Sequence, residues 1–442
     1  MARISVFGTG YLGATHAACM AELGHEVLGV DVDEAKLAKL ASGEVPFYEP
    51  GLDEVLKRNI ASGRLRFSSS YDEAAEFADV HFIGVGTPQK KGEYAADLTY
   101  VDAVITDLAP RLTRPTVIFG KSTVPVGTAE RLGRLAREIA PAGDEVEVAW
   151  NPEFLREGFA VNDTLHPDRL VLGVDPTRPG RAEDVAREVY NQLIDVEQIP
   201  FIVTDLATSE LVKISANAFL ATKISFINAM AEVCEAAGAD VTVLADAIGH
   251  DARIGRRFLN AGIGFGGGCL PKDIRAFMAR AGEIGADEAL TFLREVDNIN
   301  MRRRTRMVEL TRDVVGGSLL GARVAVLGAA FKPESDDVRD SPALNIAGQI
   351  QLQGASVSVY DPKAIDNSRR LFPTLSYAAT AAEACKGADV VLVLTEWREF
   401  RDLDPKSLEA VVGSKTVIDG RNCLSPERWR QAGWTYRGLG RV

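Results

Sequence analysis

Short apolar runs alternate with helical segments along the first third of the chain. The runs are Ile4–Phe7, Val27–Val30, Val80–Val85, Thr116–Phe119 and Val146–Ala149. Such runs, separated by stretches of helix length, predict parallel strands that are joined by crossover helices. We therefore expect an α/β domain in which helices cover both faces of a parallel sheet.

The pattern changes in the middle of the chain. From Asp205 to about Ala247, apolar residues recur at helical spacing and no proline interrupts them. Alanine, leucine, isoleucine and phenylalanine are abundant in this stretch. It predicts a long buried helix that joins two domains.

The last third of the chain repeats the pattern of the first. Arg323–Ala330 (RVAVLGAA) matches Arg3–Gly10 (RISVFGTG), and Val357–Asp361 (VSVYD) matches Val27–Asp31 (VLGVD). The repeat predicts a second Rossmann-like lobe. Because this copy lacks the second glycine of the turn, we expect it to bind a nucleotide rather than a dinucleotide.

Together these patterns predict an α/β fold with two Rossmann-like parallel-sheet domains and a central helical region that contains a long helix. We place the domains at residues 1–200, 201–300 and 301–442. A chain of 442 residues, 46% of them hydrophobic, is long enough to bury several cores.

Composition narrows the classes of function. A net charge of −12 argues against nonspecific nucleic-acid binding, which needs a basic surface. The N-terminus is interpreted as a strand rather than a secretory signal, and no apolar stretch is long enough to span a bilayer. Five scattered cysteines form neither a disulfide framework nor a metal-binding pattern. We expect a cytoplasmic protein that binds no nucleic acid, membrane or metal.

A glycine-rich turn follows the first predicted strand. Residues 8–13 (GTGYLG) have the G-x-G-x-x-G pattern and open an apolar helical segment. In this context the motif predicts a dinucleotide site, with the pyrophosphate at the helix N-terminus. Gly8 permits the tight turn, Gly10 lets the backbone approach the pyrophosphate, and Gly13 allows close packing of helix and strand. The alternative is a structural glycine turn without a ligand.

The second predicted strand ends at Asp31, about twenty residues after the glycine turn. A carboxylate there accepts a hydrogen bond from the ribose 2′-hydroxyl and repels a 2′-phosphate, which favours NAD over NADP. Lys36 is a further candidate for the cofactor site, although an exposed helix lysine usually contacts no ligand.

A second glycine cluster precedes Cys269. Four of the five residues at positions 264–268 are glycines, which are costly to order and are expected where the backbone approaches a ligand. Pro271 favours the start of a helix. A cysteine near a helix N-terminus, with Lys272 close by, has a lowered thiol pKa, so we predict that Cys269 is a nucleophile. The other cysteines are interpreted as inert: Cys19, Cys234, Cys385 and Cys423.

Eight short motifs occur in the order found in one enzyme family. They are Gly84–Pro88 (GVGTP), Lys121–Gly127 (KSTVPVG), Asn151–Gly158 (NPEFLREG), Glu210–Asn217 (ELVKISAN), Phe258–Gly262 (FLNAG), Gly264–Asp273 (GFGGGCLPKD), Ala330–Lys332 (AFK) and Asp419–Asn422 (DGRN). By these motifs the chain resembles the UDP-glucose/GDP-mannose dehydrogenase family over essentially its whole length. One departure is Gly268, where the family often has serine.

The resemblance implies oxidation of UDP-glucose to UDP-glucuronate with two molecules of NAD, through a thiohemiacetal and then a thioester on the catalytic cysteine. It implies that Lys213 and Asn217 stabilise the oxyanion, and that Asp273, Glu153 and Thr123 handle water and protons. Two structural alternatives stay open. The lysine of this set can be a snorkelling side chain, and the aspartate can be a first-turn helix carboxylate.

The resemblance also implies the binding residues. Those expected to contact the cofactor are Gly8, Gly10, Tyr11, Leu12, Gly13, Asp31, Lys36, Gly86, Thr87, Pro88, Ser122, Thr123, Glu157, Lys272 and Arg339. Those expected to contact the sugar nucleotide are Glu153, Phe154, Leu155, Arg156, Glu157, Lys213, Asn217, Phe258, Leu259, Asn260, Ala261, Gly262, Phe265, Gly266, Phe331, Lys332 and Arg421. Within this set, Lys332 and Arg421 meet the UDP phosphates and Phe331 packs on a ring.

The resemblance further implies at least a homodimer that assembles through the middle helices. Arg253 resembles an arginine that a neighbouring subunit donates to the site, and the alternative is a solvated loop charge.

Three other functions compete with this hypothesis. The same chemistry would serve GDP-mannose or a UDP-N-acetylhexosamine, and Cys269 does not discriminate among these substrates. In a two-electron hydroxyacid dehydrogenase this cysteine would be structural, but a small hydroxyacid needs no nucleotide lobe. A protein that senses NAD or a nucleotide sugar without turnover predicts a damaged catalytic set.

Overall fold

The structure is a computed structural model that describes residues 1–178 and 180–441. The chain forms two compact units. One consists of Met1–Ala216 and Arg275–Ile284, and the other of Asn217–Ile274 and Gly285–Val442. Among the described helices, none combines the length and the apolar character that a bilayer-spanning segment needs.

The first unit is built on a sheet that has eight strands within the described residues. They are β1 (Arg3–Phe7), β2 (Glu26–Val30), β3 (Leu65–Ser68), β4 (Val80–Ile83), β5 (Thr116–Gly120), β6 (Val146–Trp150), β7 (Leu170–Val174) and β8 (Phe201–Asp205). Their order is β3-β2-β1-β4-β5-β6-β7-β8, and all neighbours pair in parallel except β6 and β7. The five predicted strands are confirmed.

Helices cover both faces of this sheet. They are α1 (Tyr11–Glu22), α2 (Glu34–Ala41), α3 (Leu52–Ala61), α4 (Tyr71–Phe77), α5 (Thr99–Leu108), α6 (Thr128–Ile139), α7 (Ala160–Leu165) and α8 (Ala182–Val189). Alternate residues of β1 point to opposite faces, as the pleat requires. Val6 belongs to one apolar core with Met20 of α1, whereas Phe7 belongs to the other with Ile105 of α5.

The predicted long helix is confirmed as α9 (Leu206–Ala237), but it ends ten residues earlier than the apolar pattern suggested. Gly238 adopts a left-handed φ of +70°. Asp240 then accepts a hydrogen bond from the backbone N–H of Thr242 and begins a new helix, α10 (Val241–Gly249). The expectation that the whole helix is buried was wrong, since the Phe219 side chain is exposed.

Two further helices and the second sheet follow. The helices are α11 (Leu270–Glu283) and α12 (Thr291–Val314). The strands are β9 (Arg323–Leu327), β10 (Ser356–Tyr360), β11 (Ser376–Tyr377), β12 (Val390–Val393), β13 (Thr416–Asp419) and β14 (Thr435–Gly438), with α13 (Pro342–Leu352), α14 (Ile365–Leu371), α15 (Ala381–Ala384), α16 (Arg398–Arg401), α17 (Pro405–Glu409) and α18 (Pro426–Gln431).

The second sheet confirms the predicted repeat. Its strand order is β11-β10-β9-β12-β13-β14, and all its pairs are parallel. This is the order of the first six strands of the first sheet. In open parallel sheets of this order, ligands bind outside the carboxyl ends of the strands, where the order reverses between the first and fourth strands.

Candidate functional site

The three glycines of the turn differ in the space around them. There is open space beside Gly10, whereas Gly8 and Gly13 are packed against other parts of the chain. Gly8 has a φ of +88°, and a Cβ there would lie 2.7 Å from Val85 Cγ1. A Cβ on Gly13 would lie 1.7 Å from the carbonyl oxygen of Gly8, so this glycine is needed for close packing. Around Gly10, by contrast, a Cβ would meet nothing within 4 Å. The open space lies where α1 begins and where its first N–H groups favour an anion.

Asp31 directly follows β2 and is an ionised carboxylate at neutral pH. Its Oδ2 accepts hydrogen bonds from the Thr9 backbone N–H at 2.7 Å and from Lys36 Nζ at 2.9 Å. Burial alone would raise the pKa of Asp31, but the hydrogen bonds from Lys36, Thr9 and Asp33 outweigh burial and lower the pKa. An ionised acceptor beside an open helix N-terminus fits the ribose and pyrophosphate of NAD. Lys36 contacts this carboxylate directly.

The loops that follow β4 and β5 are tied to each other. Thr87 Oγ1 donates to the carbonyl of Thr123 at 2.8 Å, and Ser122 Oγ donates to the carbonyl of Val85 at 2.7 Å. Because β4 pairs in parallel with β1, and β5 pairs in parallel with β4, their carboxyl ends share the edge that carries the glycine turn. The predicted residues Gly86, Thr87, Pro88, Ser122 and Thr123 therefore belong to one edge of the first sheet.

A residue of the segment that follows the next strand, β6, forms an ion pair. Lys213 Nζ on α9 lies 3.3 Å from Glu153 Oε1, and both side chains are largely buried. The Lys213 ammonium also lies 5.6 Å from the centroid of the Phe154 ring. The snorkelling alternative for Lys213 is therefore wrong, because its charged end is buried against a carboxylate. Two of the predicted catalytic residues are brought together in the first unit.

The segment with the ion pair is anchored by the buried Lys121, which belongs to a family motif but was not predicted as a site residue. Lys121 Nζ donates to Asn151 Oδ1 at 3.0 Å, and the Tyr190 hydroxyl donates to the same oxygen at 2.8 Å. Burial lowers the pKa of Lys121 to about 8, while the Glu153 carboxylate acts in the opposite direction. These bonds fix the chain two residues before Glu153.

Glu49, which was not predicted as a site residue, binds both Tyr11 and the segment after Phe154. Glu49 is buried, and its carboxylate accepts hydrogen bonds from the backbone N–H groups of Gly158 at 2.6 Å and Ala160 at 2.7 Å. The Tyr11 hydroxyl donates to the same carboxylate. The predicted substrate residue Arg156 instead forms an exposed ion pair with Asp163, at 2.6 Å.

Cys269 lies immediately before α11 and is exposed. Its carbonyl accepts the backbone N–H of Asp273 at 3.0 Å, the first hydrogen bond of the helix. The prediction of a cysteine at a helix N-terminus is confirmed. The other four cysteines are less exposed than Cys269, and burial raises the pKa of Cys19 and Cys385 to about 12.

Asp273 has both of its carboxylate oxygens engaged. It lies in the first turn of α11 and is 2% exposed. Oδ2 accepts from Asn217 Nδ2 at 2.6 Å, and Oδ1 accepts from Lys272 Nζ at 2.5 Å. Asp273 is therefore a first-turn carboxylate, as the structural alternative stated, and it also joins two residues of the predicted site.

Two of the glycines before Cys269, Gly266 and Gly267, are required by their neighbours. A Cβ on Gly267 would lie 2.8 Å from the Phe331 ring, and one on Gly266 would lie 2.3 Å from the carbonyl oxygen of Asp340. A Cβ on Gly268, where the family often has serine, would lie 2.3 Å from the Arg339 guanidinium carbon. A side chain at position 268 would therefore require Arg339 to move.

Arg421 donates to backbone carbonyls within the second unit. Its Nε donates to Leu394, its Nη1 to Gly264 at 2.9 Å and its Nη2 to Phe331 at 3.2 Å.

The predicted substrate segment Phe258–Gly262 precedes the glycine cluster. Phe258 has a φ of +66°, which is rare for a bulky residue and is typical of functional sites. Leu259, Ala261, Gly262, Phe265 and Gly266 are buried, while Asn260 is exposed and accepts a hydrogen bond from Arg256.

Asp361 of the second lobe follows β10 in the place equivalent to Asp31, and it is 2% exposed. Its carboxylate accepts backbone N–H groups from Ala329 at 2.8 Å and Ala364 at 2.9 Å, and the indole N–H of Trp397 at 3.1 Å. The two lobes differ at the glycine turn, because the position equivalent to the exposed Gly10 is the fully buried Ala330.

Arg253 is almost fully exposed. Its side chain is 89% accessible and pairs with Asp251 of the same loop. Both interpretations of Arg253 therefore stay open: a residue for a neighbouring subunit and a solvated loop charge.

Comparison with protein families gives matches along almost the whole chain. Three models of the UDP-glucose/GDP-mannose dehydrogenase family match: the NAD binding domain over residues 2–194, the central domain over 207–302 and the UDP binding domain over 325–426. A UDP-glucose 6-dehydrogenase of Rhizobium meliloti (strain 1021) is 43% identical over 439 residues, which cover 99% of each chain. The UDP-glucose 6-dehydrogenase TuaD of Bacillus subtilis (strain 168) is 40% identical and covers 100% of this chain and 94% of the relative.

Solved structures of nucleotide-sugar dehydrogenases are also similar to this chain. A UDP-glucose dehydrogenase from Pyrobaculum islandicum is 37% identical, has a TM-score of 0.90 and covers 100% of this chain and 98% of that chain. A UDP-D-ManNAc dehydrogenase from Pyrococcus horikoshii is 27% identical, with a TM-score of 0.86 and 99% coverage of both chains. These similarities extend over both units.

The glycine turn gives a matched pair of variants. Gly10→Ala places a methyl group in the open space at the start of α1, so we expect at least about tenfold weaker NAD binding, a loss of about 1.4 kcal/mol, with an unchanged melting temperature. Gly13→Ala places its methyl group on the Gly8 carbonyl, so its melting temperature should fall. Calorimetric titration with NAD and thermal unfolding measure both effects. Wild-type NAD affinity in Gly10→Ala would show that the ligand does not occupy this space.

Proposed function

The chain belongs to the UDP-glucose/GDP-mannose dehydrogenase family and is an NAD-dependent nucleotide-sugar dehydrogenase; we propose that it oxidises UDP-glucose to UDP-glucuronate through a covalent intermediate on Cys269. The observation that supports this chemistry best is the exposed thiol at the start of α11, behind a glycine segment whose glycines are sterically required. A helix N-terminus favours a thiolate. We place the reaction in the cytoplasm, where a reducing environment keeps this thiol free.

We propose that the three parts of the chain divide the work. Residues 1–200 hold NAD through the glycine turn and Asp31, residues 201–300 carry the catalytic cysteine, and residues 301–442 hold the UDP group. NAD, when bound, supplies the hydride acceptor for each oxidation. The ranges of the three family domains support this division.

The first oxidation converts the C6 alcohol to an aldehyde, with loss of a hydride and a proton. The Cys269 thiolate then adds to the aldehyde carbon, and the new C–S bond turns the carbonyl oxygen into an oxyanion that takes up a proton. Lys213 and Asn217 are four residues apart on α9 and so lie on one helical face, from which we propose that they stabilise this oxyanion.

The second oxidation removes a hydride from the thiohemiacetal and leaves a thioester. Water attacks the thioester carbon, the C–S bond breaks and the thiol is regenerated with the carboxylate product. One alcohol, two NAD and one water thus give one carboxylate, two NADH and three protons. We propose that Glu153, held beside Lys213, orients this water, with Asp273 and Thr123 as further proton-handling groups.

For the substrate we propose UDP-glucose rather than another nucleotide sugar. Relatives named UDP-glucose 6-dehydrogenase are 38–43% identical over almost the whole chain, whereas the UDP-D-ManNAc dehydrogenase structure is 27% identical. The family's UDP binding domain matches residues 325–426, which include Lys332 and Arg421. In this proposal their positive charges face the diphosphate, and Phe331 packs on a ring.

Stoichiometry tests the proposed reaction. Limiting UDP-glucose with excess NAD should yield two NADH for each sugar nucleotide. Cys269→Ala should fold but make no UDP-glucuronate, and Cys269→Ser should be severely slowed because a hydroxyl is a much weaker nucleophile at neutral pH. Cys234→Ala is the control and should keep the activity of the wild type. Absorbance of NADH and chromatography of the products measure these outcomes.

Two results would contradict the reaction. A yield near one NADH with accumulation of aldehyde would exclude the four-electron oxidation. Near wild-type production of UDP-glucuronate by Cys269→Ala would exclude the covalent intermediate.

We also propose that the protein is at least a homodimer. Phe219, Phe226 and Val233 lie seven residues apart on α9, and they are 66%, 48% and 57% exposed. Seven-residue spacing places them along one face of the helix, and an exposed apolar stripe of this kind marks an interface. In this proposal a second copy of the chain covers the stripe and donates Arg253 to the site.

A charge in the stripe tests the dimer. Phe226→Glu should convert the dimer to a monomer in sedimentation experiments, because it buries an unpaired carboxylate in the interface. Val196→Glu introduces the same charge at a position that is 76% exposed in the first unit, and should leave the mass unchanged. Arg253→Ala should raise the KM for UDP-glucose. A wild-type protein that sediments as an active monomer would exclude this assembly.

A further inference from the structure

The segment that leads to Cys269 is buried but belongs to no helix or strand. Residues 261–267 are buried throughout. Their peptide N–H and C=O groups have no ladder of regular hydrogen bonds, and unpaired buried groups of this kind are costly. Side chains and backbone carbonyls from other parts of the second unit therefore supply their partners.

Asn300 on α12 is the side chain that pairs with both backbone groups of one residue. Its Oδ1 accepts the Phe265 N–H at 2.7 Å, and its Nδ2 donates to the Phe265 carbonyl at 3.0 Å. Asn300 is 1% exposed. A carboxamide that binds a residue in this way acts as a neighbouring strand would, and it fixes both the position and the direction of the backbone.

The glycine segment is shaped to receive this carboxamide. Gly264 has a φ of +91°, and a Cβ there would lie 2.3 Å from Asn300 Oδ1. Arg304, also on α12, donates to the Phe265 carbonyl at 3.3 Å and to Asp340 at 2.8 Å. The amide of Asn300 is thus enclosed by a backbone that only glycine permits and by a second polar side chain.

Other groups form hydrogen bonds with the same segment at Gly262 and Gly267. Asn228 Oδ1 accepts the Gly262 N–H at 2.9 Å, and Arg303 Nε donates to the Gly262 carbonyl at 3.3 Å. At the far end, the Gly267 N–H donates to the Arg339 carbonyl at 2.9 Å. Asn300 binds Phe265, which lies between these two points and four residues before Cys269.

We propose that Asn300 is a positioning residue that sets the location of the Cys269 thiol for its attack on the aldehyde. This inference rests on the proposed covalent reaction. The first oxidation does not use the thiol, whereas addition to the aldehyde requires it within attack distance. A displacement of about 1 Å can cost on the order of 100-fold in such a step. Loss of Asn300 therefore uncouples the two oxidations.

The test uses two variants of the full-length protein that differ only in position. Asn300→Asp keeps the acceptor for the Phe265 N–H but places an oxygen against the Phe265 carbonyl. Asn298→Asp makes the same change on the exposed side of the same helix, where the amide donates to Glu295. If Asn300→Asp does not fold, Asn300→Ser removes both hydrogen bonds without adding charge and takes its place.

The expected result combines kinetics with thiol chemistry. In Asn300→Asp the yield should fall from two NADH towards one for each UDP-glucose, with the aldehyde captured by hydroxylamine. Formation of UDP-glucuronate should slow by about 100-fold. The rate at which iodoacetamide alkylates Cys269, followed on its peptide, should change at least threefold. Asn298→Asp should match the wild type in each measurement.

A merely structural Asn300 would lower the melting temperature and leave stoichiometry, turnover and alkylation rate unchanged, and this result overturns the inference. Failure of the covalent mechanism is recognised separately, because Cys269→Ala would then still form UDP-glucuronate. The alkylation rate does not depend on turnover. An unchanged rate in Asn300→Asp therefore overturns the positioning role even in that case.

Discussion

Parallel strand pairing is the constraint from which the candidate residues of the first unit follow. The carboxyl ends of β1, β2, β4, β5 and β6 lie at one edge of the sheet because these strands run in the same direction. The glycine turn, Asp31, Thr87, Thr123 and Glu153 each follow one of these strands. Residues that are far apart in the chain therefore share an edge without any long-range signal in the sequence. The second sheet has the same strand order, but a buried alanine, Ala330, stands where the first lobe has the exposed Gly10.

Much of the fold could be predicted because the strands concerned are mostly apolar and buried. Three strands of the first sheet were not predicted. β3 and β8 are edge strands, of which the first contains an arginine and the second is only partly buried. β7 was missed although it is apolar and buried. The break after α9 was also not predicted, because the apolar pattern continues past Gly238 into α10. There a left-handed glycine and a capping aspartate decide the structure, and apolar spacing does not contain that information.

Some residues of the candidate site could likewise be predicted from the sequence, and others could not. Glycine turns and the cysteine before a helix have local signals, and both were predicted. Lys121, Glu49 and Asn300 were not, because a polar residue in a loop or helix gives no local sign that it will be buried. A signal exists for Asn300 all the same: it lies seven residues after Leu293 and four after Val296, on the buried face of α12. A polar residue on such a face needs a partner, and here the partner is the backbone before the catalytic cysteine.

In the proposed reaction, turnover passes through an acyl group on Cys269. Replacing Glu153 by glutamine should slow hydrolysis if this carboxylate orients the water. Acid quenching of that variant after addition of UDP-glucose and NAD, followed by mass spectrometry of the intact protein and its peptides, should show a UDP-glucuronyl adduct on the Cys269 peptide. A variant that released UDP-glucuronate while Cys269 remained unmodified and open to iodoacetamide throughout turnover would contradict the covalent intermediate.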